Sequence, residues 1–385
     1  MVSLGMMSDC EGPSMEIRRR RSMACREMDW QMPSWLEAVI PPHVFSIPPY
    51  VPGKPIEELQ RELGIHEAVK MASNENPLGP SPLAMEAMRE QICNVHVYPE
   101  SSAPELREAI ASRHGIPTEA VILGNGSDEI MALAAHVFIR PGQEAIMGSN
   151  CFSMYRIVVE AFGGEAKRIP LTNYRFNLDA MSRAVSERTR LIFLAIPNSP
   201  TGTIISRTEF ESFLKELPKD GVILVVDEAY REYVAAPECP NGLDYLESDV
   251  PVLVLRTFSK VYGLAGLRIG YGMSRPWLIE LLNRVRAPFN VSSMAQKAAL
   301  AALNDQEHLR RSASMTSWHC FPDSRDRTTG SARDSVTRKL CYILFRDERA
   351  ACVRGIAATR SDCQAPRFIR HGEVYSCHGG DWTPE

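Results

Sequence analysis

The stretch SKVYGLAGLRIGY, Ser259–Tyr271, decides how the rest of the chain is read. Just ahead of it, Val252–Leu255 is an unbroken apolar run of the kind that forms a buried strand, followed by Thr257, Phe258 and Ser259. Lys260 therefore stands at a strand end, and Arg268 follows eight residues later among closely spaced glycines. A lysine so placed, with a second cation nearby, suits an aldehyde cofactor that carries a phosphate. The amine would form the Schiff base and the guanidinium would clamp the phosphate. Taken alone, the same residues also describe a surface lysine and arginine in a polar loop.

Three upstream segments share this design. VILVVDEAYREY, Val222–Tyr233, opens with five mostly β-branched apolar residues and ends that run at Asp227. A carboxylate at the carboxyl end of a buried strand is where α/β proteins place ligand groups, and it could pair with a protonated pyridine nitrogen. Tyr230 could reach the same ligand through its phenol. Asp227 could equally cap the segment that follows. LIFLAIPNSPTGT, Leu191–Thr203, is a second buried strand that runs into Pro197, Asn198, Pro200 and Gly202. So many turn-forming residues predict a rigid turn that holds the Asn198 amide toward the site, although an ordinary proline-rich turn would look the same. AVILGNGSDEIMALAAHVF, Ala120–Phe138, passes from a strand through Gly124-Asn125-Gly126 into a helix that begins near Ser127 and Asp128. That helix start offers free N–H groups to an anion, unless Ser127 merely caps it.

Together and in this order, the four segments resemble the pyridoxal-phosphate aminotransferases of the aspartate-aminotransferase fold. Three further stretches, PPYVPGKPIEELQRELGI (Pro48–Ile65), KMASNENPLGPSP (Lys70–Pro82) and HVYPESSAPELREAIA (His96–Ala111), look like the histidinol-phosphate aminotransferases within that group. The resemblance covers roughly residues 44–311. It implies an α/β fold: a large domain with a mostly parallel sheet, plus a smaller α+β domain. It implies pyridoxal 5'-phosphate as cofactor, no metal, and amino transfer between histidinol phosphate and 2-oxoglutarate. Carried over by position, it makes Lys260 the residue that bonds the cofactor and shuttles the proton. Asp227 pairs with the ring nitrogen, Asn198 and Tyr230 bond the ring's phenolic oxygen, and Phe152 stacks on the ring. Ser127, Asp128, Ser259 and Arg268 surround the phosphate. Tyr98 reaches the phosphate in a partner subunit, so a homodimer is implied. Asn76 and Asn198 lie toward the small-molecule amino donor and oxo-acid acceptor. An aromatic-amino-acid aminotransferase or a threonine-phosphate decarboxylase would share these cofactor motifs, as would a protein that binds the cofactor without turnover.

Composition agrees with a globular enzyme. The chain has 385 residues, 44% of them apolar, and a formal net charge of −4. That length supports one or two domains, and the charge argues against nucleic-acid binding. No apolar run is long enough for a membrane helix, and no metal-ligand spacing stands out. The unpaired spacing of the cysteines points to a reducing cytoplasm.

Two segments break the pattern. Residues 1–43 carry Arg18–Arg21, lack a periodic apolar face and a secretory leader, and read as a disordered extension. Met15, Met23, Met28 and Met32 each offer another start. Residues 44–75 read as an arm with part of the small domain, 76–305 as the cofactor-binding large domain, and 306–385 as an aberrant stand-in for the remaining small domain. From about Arg311 the arginines scatter without period, and five of the ten cysteines fall there: Cys320, Cys341, Cys352, Cys363 and Cys377. Only Leu340–Phe345 resembles a strand. A shift of reading frame would produce such a break, and no arginine for a substrate carboxylate is assigned.

Overall fold

The computed structural model describes residues 34–50, 56–63, 73–315, 367–370, 373–378 and 381–384. Its centre is a seven-stranded sheet ordered β1-β7-β6-β5-β4-β2-β3. The strands are β1 (Val121–Gly124), β2 (Glu144–Gly148), β3 (Glu165–Ile169), β4 (Thr189–Ala195), β5 (Ile223–Asp227), β6 (Val252–Thr257) and β7 (Gly270–Met273). The pairs β2–β3, β2–β4, β4–β5 and β5–β6 are parallel. Strand β7 runs against both β6 and β1. The mostly parallel sheet expected from the sequence is therefore present, with one reversed strand that the sequence did not announce.

The central strands are continuous apolar runs because both faces are covered. Leu224, Val225 and Val226 of β5 and Val252–Leu255 of β6 have no measurable exposure. Each such side chain contributes about 1.5–3 kcal/mol through removal from water. Helices Ser127–Phe138 and Met154–Ala161 bury residues such as Ile130 and Val158 against this sheet, while Ser293–Asn304 packs with its buried Ala298 against the helices Pro82–Gln91 and Pro104–His114.

Parallel strands put their carboxyl ends on one edge, and the site is assembled there. Gly124, Gly148, Ala195, Asp227 and Thr257 are the last residues of β1, β2, β4, β5 and β6. Ser127, Phe152, Asn198, Tyr230 and Lys260 all follow within four residues of those ends. Reversal of β7 brings its first residue, Gly270, to the same edge, paired with Thr257 and Gly124. A Cβ on Gly270 would lie 2.5 Å from the Ser127 backbone nitrogen, so only glycine lets these segments meet.

Regular structure continues past the point where the sequence pattern breaks. Helix Gln306–Met315 spans Arg311 and buries His308 and Ser312. Farther on, Arg367–Arg370, Glu373–His378 and Asp381–Pro384 form a three-stranded antiparallel sheet, which the scattered arginines had not suggested. The candidate strand Leu340–Phe345 lies outside the described residues. At the other end, short helices Ser34–Val39 and Pro42–Ser46 belong to a unit that closes at Ser46, where the sequence had suggested disorder through residue 43. No helix among the described residues is long and apolar enough to cross a membrane.

Candidate active site

Asp227 is one of the buried residues of the site. It is 6% exposed at the end of β5. Its Oδ2 accepts the phenol proton of Tyr155 at 2.6 Å, and its Oδ1 accepts the Ala229 N–H at 3.0 Å. The second contact is the local capping role that the sequence left open, so Asp227 fills that role and still presents a carboxylate at the strand end. Burial pushes its pKa up to about 6, against the pull of the Tyr155 and Ala229 hydrogen bonds. Phe152 is half-buried, and its ring meets the edge of Tyr155 at 5.8 Å.

Lys260 follows β6. Its Nζ donates to the Ser73 carbonyl at 2.6 Å and lies 5.5 Å above the Tyr230 ring. The Tyr230 hydroxyl accepts from Asn74 Nδ2 at 2.9 Å. Ser73 and Asn74 were not foreseen. Both have left-handed backbones, with φ of 81° and 51°. For residues other than glycine that costs free energy, and such strain is found where a fold must hold an unusual loop in place. Two consecutive non-glycine left-handed residues leave no sequence signal beyond the asparagine itself.

Asn76 is engaged by the fold. Its Nδ2 donates to the Val261 carbonyl at 2.7 Å and to Ser312 Oγ at 2.8 Å, while its Oδ1 accepts the Leu78 N–H at 3.0 Å. Asn76 thereby ties its loop to the residue after Lys260. Gly263, at φ 70°, lets that loop sit against it, because a Cβ there would collide with the Gly79 carbonyl.

Asn198 is fully buried in its turn. Its Nδ2 donates to the Asn150 carbonyl at 3.0 Å and to Thr201 Oγ1 at 2.7 Å. The Oδ1 is a buried acceptor without a partner in the structure. The turn is as constrained as the sequence suggests, but the amide nitrogen points to protein oxygens instead of the open site.

The other end of the site is cationic and more open. Arg268 lies 3.2 Å from Asp128 Oδ2 and 3.4 Å from Ser259 Oγ. Its own backbone is left-handed, at φ 53°. Burial raises the Asp128 pKa, while Arg268 and Lys260 oppose the rise. The helix Ser127–Phe138 starts beside Arg268, with Gly126 as its cap and no side-chain cap bond. Ser127 is the first helical residue and not the cap, so the first-turn N–H groups are left for another acceptor. Tyr98 stands apart at the surface, 80% exposed, with its ring stacked on Phe289 at 4.8 Å.

The donor set fits pyridoxal phosphate. A helix N-terminus, a serine hydroxyl and an arginine suit its phosphate, a buried carboxylate suits a protonated ring nitrogen, and an amine lies on the same edge. The partnerless Asn198 Oδ1 marks an unmet polar position at this edge.

Comparison with known proteins agrees. The model of the family described as aminotransferase class I and II matches residues 66–336. The histidinol-phosphate aminotransferase of Moorella thermoacetica is 48% identical over 275 residues, 71% of each chain. The crystal structure of histidinol-phosphate aminotransferase from Sinorhizobium meliloti, in complex with pyridoxal-5'-phosphate, matches with a TM-score of 0.65 and 29% identity. The match covers 72% of this chain and 74% of that one. Aspartate aminotransferase from Thermus thermophilus with maleate matches at a TM-score of 0.61 and 22% identity, over 74% of this chain and 76% of that one, which shows the shared fold.

Proposed function

The chain belongs to the class I and II aminotransferase family, and from that premise we propose that it is a histidinol-phosphate aminotransferase dependent on pyridoxal phosphate. The amino group of histidinol phosphate passes to 2-oxoglutarate, giving imidazole acetol phosphate and glutamate. The biosynthetic flux runs the opposite way, toward histidinol phosphate. Relatives at 46–48% identity that carry this name support the substrate choice over an aromatic amino acid or threonine phosphate.

The observation that carries the proposal is the shared sheet edge, with Asp227 at the end of β5, Lys260 three residues beyond β6 and Arg268 two residues before β7. Bound pyridoxal phosphate supplies an electron sink for the pair left when the substrate loses its α-proton. Lys260 Nζ would hold the cofactor and would be the base that takes up and returns the substrate's α-proton. Asp227 keeps the ring nitrogen protonated. Phe152 supports the ring face, and Tyr230 orients the phenolic oxygen. Asn198 lines that side of the ring. Arg268, Ser259 and the N–H groups at Ser127 and Asp128 hold the phosphate. Ser73 and Asn74 keep Lys260 and Tyr230 in register.

We further propose that residues 76–305 form the large domain, that the enzyme works in the cytoplasm as a homodimer, and that the exposed Tyr98 serves the partner's site. The break in pattern near residue 311 is assigned to a shift of reading frame. A periodic sequence in another frame past that codon would support this, and its absence in both other frames would overturn it. The activity is tested by supplying 2-oxoglutarate with histidinol phosphate, phenylalanine or threonine phosphate in turn. Glutamate formed fastest from histidinol phosphate supports the proposal. Faster transfer from phenylalanine, or carbon dioxide from threonine phosphate, replaces it.

A further inference from the structure

Tyr155 was not singled out by the sequence, yet it touches two residues placed in the site. It is completely buried in the helix Met154–Ala161. Its ring stacks on Phe193 of β4 at 4.9 Å, and its edge contact with Phe152 links it to the expected ring stacker. Its hydroxyl is hydrogen-bonded to Asp227, 72 residues away in sequence.

We propose that Tyr155 is a positioning residue: its phenol fixes Asp227 as an oriented anion for a protonated pyridine ring. This rests on the pyridoxal-phosphate reading above. The titratable groups that bear on Asp227 are Asp128 from the neighbouring helix, Glu228 beside it in the chain, Cys151 and Tyr155. Asp128 and Glu228 are acidic and favour its protonated form. What favours the anion is hydrogen bonding, and Tyr155 contributes more than the Ala229 N–H. Burial and the adjacent carboxylate hold the Tyr155 phenol far above its ordinary pKa, so it remains a donor wherever the enzyme folds. With one bond fixed on each oxygen, the carboxylate cannot rotate freely, and its remaining lone pairs keep one direction.

The test is equilibrium binding of pyridoxal phosphate to the full chain and to Tyr155→Phe, which retains the ring and its stacking. Loss of a hydrogen bond to a charged group predicts roughly 10-fold weaker binding at neutral pH. The pH below which affinity falls should also move upward from about 6. In an Asp227→Ala background, Tyr155→Phe should have no further effect, because its action passes through the carboxylate. An equal loss in both backgrounds would mean that Tyr155 only supports packing, and would overturn the inference. So would unchanged affinity and pH profile in Tyr155→Phe beside a wild-type chain that binds. A wild-type chain that binds no pyridoxal phosphate would overturn the cofactor reading, and the inference with it.

Discussion

The two ends of the site obey different physics. Around Asp227 the groups are buried, both carboxylate oxygens have fixed partners, and charge is held against a cost of burial. Around Arg268 the charged side chains are open to water: Arg268 is 45% exposed and Asp128 35%. The first end depends on preorganisation, where a single missing atom leaves a charge unpaired. The second depends on the sum of several screened attractions. Lys260 is held in a third way. Its Nζ is held by a backbone carbonyl, which no side-chain substitution removes.

That contrast sets the expected order of effects. Lys260→Ala removes the only amine proposed to bond the cofactor and carry the proton. Turnover should fall on the order of 10⁴-fold, read from the initial rate of glutamate formation. A fall of less than 100-fold would assign the proton transfer elsewhere. Asp227→Ala, at the buried end, should lower turnover roughly 10³-fold, within the range for loss of a preorganised electrostatic partner. Such a loss should be insensitive to salt.

The buried end also makes a prediction about stability without cofactor. The Asp227 pKa is raised from 3.8 to about 6 in the fold. The folded chain therefore binds a proton that the unfolded chain has already released. Its contribution to stability is full below about pH 4 and is lost as pH rises through 6, on the order of 3 kcal/mol in all. Urea unfolding of the cofactor-free chain and of Asp227→Asn should reveal it. The wild type should weaken relative to the variant between pH 4.5 and 7, and parallel curves would contradict this.

The open end should give the smallest change. Arg268→Gln should weaken pyridoxal phosphate binding about 10-fold at low salt and less at high salt. Pyridoxal, which lacks the phosphate, should bind both forms alike. If the loss resists salt, the two ends differ less than their exposure implies.

Much of this contrast could be read in the sequence, for identifiable reasons. Strand ends at Asp227 and Thr257 are announced by long β-branched runs, since parallel strands are buried on both faces. Gly126 and Arg268 stand out because their glycine-rich turns fall just after or before strand patterns, and in the company of the other segments. Tyr155 gave no signal. It occupies an ordinary core position of an amphipathic helix, and only the packing of that helix on the sheet brings its ring to Phe193 of β4 and its hydroxyl to Asp227 of β5. Ser73 was equally hidden, because it acts through a carbonyl that every residue possesses. In the conspicuous polar motif SNENP, the Asn76 amide also braces the loop against Val261 and Ser312, contacts that the motif alone does not announce. Strand β7 was missed as a reversed strand because four residues, GYGM, are too few to show direction.

The central claim is that Lys260 bonds pyridoxal phosphate and passes amino groups through it. Its most direct test is the visible spectrum of the purified chain with pyridoxal phosphate, before and after glutamate or histidinol phosphate, beside Lys260→Ala. The account predicts a visible band that requires Lys260 and disappears when either amine is added. A band that persists in Lys260→Ala, or that ignores both amines, would contradict it.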